Sequence, residues 1–213
     1  MNVLIVGSRS NVFSTLTEEY KKQNATSGGK CIAALFSSER SGDEGDQYIE
    51  WNPQSPISAR SLCVSGENIM GSIDSIIISI SGPPLNEELD FLPATIDSII
   101  NNYIKGPVFL LRECQKYFSG TEKKSGTLAL VLQEENSSSL LGAPVSAAWS
   151  AFVHSVLARC NQGRPVNYKT VGFNCAVNKP DQILDFSAFV YKTLNDEKKL
   201  ENGKLYKYKK LPF

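Results

Sequence analysis

The sequence has no charge excess of either sign, only one histidine, and no apolar run long enough to cross a bilayer. Lysine plus arginine and aspartate plus glutamate number 22 each, for a net charge of zero. General binders of nucleic acid or of anionic membranes need a concentrated basic excess, so neither partner is expected. The one basic cluster, Lys204, Lys207, Lys209 and Lys210, is interleaved with Tyr206 and Tyr208 and reads as a solvated terminal strand and tail. A membrane helix needs ~20 apolar residues, and none is present. The opening Met-Asn-Val-Leu has no basic segment ahead of its short apolar run, which argues against a secretory signal. Cys31, Cys63, Cys114, Cys160 and Cys175 form no C-x-x-C pair, and no histidine stands at ligand spacing. They read as small buried hydrophobes, with no metal site, in a reduced, cytoplasmic protein.

What is present is an alternation of strands and helices. Residues 3–6, Val-Leu-Ile-Val, suit a strand buried on both faces and ended by Gly7. Ser8, Arg9, Ser10 and Asn11 form a polar turn. Val12, Leu16 and Tyr20 then set a helical period, with Glu18 and Glu19 on the wet side. A strand, a glycine turn and a helix N-terminus together make a potential anion site, where backbone N–H groups and the helix dipole converge. Further strands are predicted over 31–36, 48–51, 73–80, 126–132, 167–176 and 204–208. Helices are predicted over 58–70, 94–118, 145–160 and 182–194. Gly106-Pro107 should kink the second of these, because proline cannot donate the i→i−4 hydrogen bond. No repeat or linker divides the chain, and at 213 residues one domain over 1–213 is expected. Its class is α/β: a Rossmann-like, doubly wound parallel sheet of six or seven strands with helices on both faces.

The order of these pieces resembles the short-chain dehydrogenase/reductases over nearly the whole chain. V-G-S-R-S-N-V-F after the first strand, I-D-S-I-I-I-S-I-S-G-P-P at the fourth and N-N-Y-I-K-G-P-V-F-L-L in the kinked helix carry it. G-T-L-A-L-V-L in the fifth strand and W-S-A-F-V in the next helix continue it. The resemblance implies a nicotinamide dinucleotide across the strand ends, held by Gly7, Ser8, Arg9, Ser10 and Asn11 at the first turn. Asn11 and Phe13 stand where the family spacing places glycine. At the second strand tip, Ser37, Ser38 and Arg40 favour a 2′-phosphate, hence NADP over NAD. Asn52 stands where an aspartate often contacts adenine, Ser79, Ser81 and Gly82 replace an N-N-A-G stretch, and Asn102 stands close to the family's helix asparagine.

The family's catalytic serine, tyrosine and lysine are missing. Leu132 or Gln133 falls near the serine position, Trp149 at the tyrosine and Val153 at the lysine. An indole N–H is no acid in the phenol range, and valine has no donor. Ser79, Tyr103, Gln133 and Ser138 are the displaced candidates. Tyr103 has the spacing of a core residue, and Ser138 lies in a polar serine loop. His154, beside Val153 in an apolar helix, reads as a packed or interface histidine.

Three readings follow. The first is a non-catalytic member that binds NADP weakly, or another small ligand, or a partner. The second is an NADP-dependent oxidoreductase reducing a carbonyl or enoyl group with displaced residues. The third is a ligand-free structural subunit of an oligomer. Helices 94–118 and 145–160 carry excess apolar surface, and the resemblance implies a homodimer through a four-helix contact about a two-fold axis. The alternative cover for that surface is the segment 194–213.

Overall fold

Seven short strands, rich in β-branched residues, pair only in parallel, and helices fill every described crossover. The computed structural model of the protein describes residues 1–36, 48–83, 92–120, 125–133, 141–162, 167–175, 179–196 and 198–208. The chain runs β1 (Val3–Gly7), α1 (Asn11–Ser27), β2 (Cys31–Phe36), β3 (Tyr48–Trp51), α2 (Pro56–Met70) and β4 (Ser75–Ser79). It continues through α3 (Pro93–Ile99), a π-helical segment (Ile100–Lys105), α4 (Gly106–Ser119), β5 (Gly126–Gln133) and α5 (Gly142–Gln162). β6 (Tyr168–Cys175), α6 (Pro180–Leu194) and β7 (Leu205–Lys207) complete it. The sheet order is β3-β2-β1-β4-β5-β6-β7, and every neighbouring pair is parallel. The architecture is therefore the Rossmann-like doubly wound sheet.

Strand alternation divides the apolar residues between two cores. Leu4 and Val6 face a core shared with α2, α4 and α5. Val3 and Ile5 face one shared with α1 and α6. Three helix starts are set by local chemistry. Ser10 caps α1 by accepting the Phe13 N–H at 3.1 Å, Ser55 caps α2 ahead of Pro56, and Pro180 opens α6. Gly28 ends α1 at φ +74°, in the left-handed region that favours glycine.

Several local expectations change. The predicted helix over 94–118 is three segments, with the six-residue π turn immediately before Gly106-Pro107. There the Gly106 N–H reaches back five residues to the Asn101 carbonyl. The wider turn thus falls where Pro107 has no N–H to continue the i→i−4 ladder. Glu19 is buried rather than wet, its carboxylate accepting from Gln23 at 2.9 Å. Cys63, Cys114 and Cys175 are buried, whereas Cys31 and Cys160 are only half-buried. The expected solvated terminal strand is partly a packing element: Tyr206 stacks on Phe173, and Tyr208 meets Phe186 and Phe189. No helix among the described residues is long and apolar enough to cross a membrane.

Candidate functional site at the switch crevice

β1 neighbours β2 on one side and β4 on the other, so the strand order reverses between β1 and β4. In open α/β sheets the crevice outside the carboxyl ends at such a point is the usual place for a ligand. Gly7 sits at its base, in register with Ser79. A Cβ at Gly7 would run into the Ser79 carbonyl oxygen, so only glycine lets the two strand ends approach this closely.

Hydrogen bonds lace the crevice from side to side. Ser8 donates its N–H to the Ser79 carbonyl at 3.3 Å. The Ser81 N–H donates to Ser8 Oγ at 2.8 Å, and the two hydroxyl oxygens lie 2.8 Å apart. From β5, Gln133 Nε2 donates to Ser10 Oγ at 3.1 Å and to Ser79 Oγ at 3.0 Å. Ser8, Ser79, Ser81 and Gly82 are buried, while Arg9 and Asn11 are exposed at the mouth. The predicted residues Gly7, Ser8, Ser10, Ser79, Ser81 and Gln133 are thus brought together.

Others are placed elsewhere. Asn52 closes its own turn, its Oδ1 accepting from the Gln54 N–H at 2.9 Å. Asn102, in the π segment, accepts from Gln54 Nε2 at 3.0 Å and donates to Ser98 at 3.3 Å. Gln54, which the sequence did not single out, is therefore the link between these two asparagines. Tyr103 is buried and packs edge-on against Phe36, which in turn meets Trp51. This aromatic group lies beneath the ends of β2 and β3, which places Tyr103 in the core. Ser37, Ser38, Arg40 and Ser138 lie outside the described residues.

Trp149 and Val153 take part in packing. Trp149 is 5% exposed and donates its indole N–H to the Val131 carbonyl at 3.1 Å. Val153, one turn on, is fully buried. His154 faces outward and is exposed. Phe13 does not block the crevice: its ring is 1% exposed and packs with Val3, Ile5 and Leu16.

The α1 end of this site offers donors suited to a dinucleotide pyrophosphate. Gly7 keeps the turn tight, although Asn11 and Phe13 take the positions that the resemblance gives to glycine, and helix geometry leaves the Asn11 and Val12 N–H groups without intrahelical partners. Two donors otherwise available there are already used, the Ser8 N–H on Ser79 and the Phe13 N–H on Ser10. Among the described residues, the serine, glutamine and asparagine side chains of the crevice exchange no proton near neutral pH and serve to hydrogen-bond and orient. Among the described residues no group of three or more His, Cys, Asp or Glu is arranged to hold a metal ion.

No protein-family model and no curated protein matches the sequence. Solved structures do. A short-chain dehydrogenase from Mycobacterium smegmatis superposes with a TM-score of 0.70 at 13% identity, covering 100% of this chain and 93% of that one. A 3-ketoacyl-(acyl-carrier-protein) reductase from Brucella melitensis, complexed with NADH, gives 0.66 at 13% identity over 96% and 95%. A short-chain dehydrogenase/reductase family oxidoreductase from Brucella ovis, in complex with a partially ordered NAD, gives 0.69 at 10% identity over 98% and 99%. From end to end, this chain has the fold of the short-chain dehydrogenase/reductases.

Proposed function

We propose that this protein is a single-domain, non-catalytic short-chain dehydrogenase/reductase that binds NADP(H) weakly and works in the cytoplasm by ligand sensing or partner association. One observation carries the reading. The two positions that would hold the proton-donating tyrosine and its lysine are Trp149 and Val153, both buried. The only polar group between them is hydrogen-bonded to the sheet. General acid–base help contributes roughly 10²–10⁴-fold, and neither residue can supply it.

The nicotinamide cofactor would be held as a ligand, its capacity to carry hydride unused. Gly7, Ser8, Arg9, Ser10 and Asn11 would hold its pyrophosphate. NADH and NAD in the Brucella structures support a nicotinamide dinucleotide as the ligand class. The preference for NADP rests on Ser37, Ser38 and Arg40.

The test is a fluorescence titration of the purified protein with NADPH and NADH, followed by assays of NADPH oxidation with carbonyl and enoyl substrates. Binding without oxidation supports the proposal. Arg40→Ala should weaken NADPH more than NADH, and equal effects on both would remove the 2′-phosphate assignment.

A further inference from the structure

Gln133 ends β5 two residues beyond Val131, which is itself in register with Ser79. Alternation puts Gln133 on the same sheet face as Ala129 and Val131, the face covered by α1 and α6. From there its carboxamide reaches past β4 to the first residue ahead of α1. Both amide hydrogens are used, one on Ser79 in β4 and one on Ser10, the α1 cap. The carboxamide thus occupies the crevice at the helix N-terminus, where an anionic ligand gains most from backbone N–H groups and the dipole. Ser10 Oγ is held from two sides, by the Phe13 N–H and by Gln133 Nε2.

We infer that Gln133 is a built-in occupant of the switch crevice, an internal competitor that a dinucleotide must displace. The inference rests on the dinucleotide reading above and names what keeps that binding weak. Gln133 is half-buried, not sealed in the core, so its side chain has an outward path once the two bonds break. Ser10 and Ser79 hydroxyls are then released to face the incoming phosphate and ribose. Each neutral hydrogen bond contributes modestly, and loss of both corresponds to an affinity gain of roughly thirtyfold.

The experiment titrates wild type, Gln133→Ser and Gln133→Asn with NADPH, with melting temperatures measured in parallel. Serine clears the crevice, and asparagine keeps an amide but shortens its reach by one methylene, so it serves if the serine variant does not fold. A dissociation constant lower by roughly thirtyfold in either folded variant supports the inference. Equal constants overturn it while leaving the dinucleotide reading intact. Weaker binding in the variants overturns it as well, making Gln133 a ligand contact instead. Absence of NADPH binding in all three proteins removes the dinucleotide reading, and the inference falls with it.

Discussion

Trp149 on α5 donates its indole N–H to the backbone carbonyl of Val131 in β5 at 3.1 Å. The residue that we propose replaces the family's proton donor therefore ties a helix to the sheet. Trp149→Phe should lose about 1–2 kcal/mol of stability, the cost of a removed buried hydrogen bond. Trp149→Ala should lose roughly 3–5 kcal/mol, as expected for a truncated buried aromatic. Urea unfolding measures both. Equal stability of Trp149→Phe and wild type would show that the bond contributes nothing.

Phe13 stands where the resemblance would place a glycine, yet removing its ring should not open a nucleotide site. The ring is in the core beside Gly7. Phe13→Gly should cost roughly 3–5 kcal/mol for the lost aromatic and about 1 kcal/mol more for glycine within a helix. Thermal melting should show a large drop. Stronger NADPH binding with unchanged melting would contradict the packing role.

The homodimer expected from the two long helices has a defined face. Ile100, Ile104 and Val108 recur at four-residue spacing and are each more than a third exposed. Phe152 and Val156 line a groove of about 490 Å³ with Val108 and Leu111. Elsewhere the outward α5 surface is small or polar, with Ala147, Ala151, His154, Ala158 and Arg159 exposed. Among the described residues, the segment after α6 meets α5 near its end, where Asn161 bonds the Gly203 carbonyl and Asn202 bonds that of Cys160. Interfaces of the standard class bury about 1,600 Å² in total. Sedimentation at micromolar concentration should give a dimer that Val108→Glu or Phe152→Glu splits without unfolding. A 23.4 kDa monomer unchanged on concentration would end the dimer proposal.

Burial pushes the Cys31 thiol from 9.0 up to about 12, against a smaller lowering effect of Lys21. Burial also raises the Tyr20 phenol, whose hydroxyl has no hydrogen-bond partner. The folded protein keeps protons that the unfolded chain releases. The associated stability is complete below pH 9 and is lost as the pH rises toward about 12. Urea midpoints should fall across that window, and Cys31→Ala should flatten the fall. A midpoint independent of pH above 9 would contradict this.

Much of the fold is legible in the sequence because its causes are local. Val3 to Val6 form a continuous buried strand, Gly7 ends it, and Val12, Leu16 and Tyr20 mark the inner face of α1. The π turn is not legible, since Gly106-Pro107 announces an irregularity without saying whether a kink or a wider turn absorbs it. The glycine turn and the serines of the site can also be found from sequence. Their connections cannot: Gln133 meets Ser79 and Ser10 across 54 and 123 residues, and the sheet order alone brings them together. Likewise Asn102 looks like a crevice residue by spacing, while the wider π turn places it against Gln54.

Single-turnover oxidation of NADPH with a panel of carbonyl and enoyl substrates decides whether this dehydrogenase fold lacks hydride-transfer chemistry. NADPH fluorescence should persist in the presence of every substrate. Substrate-dependent oxidation near the ~10 s⁻¹ typical of enzymes would contradict it and would point to an acid other than Trp149.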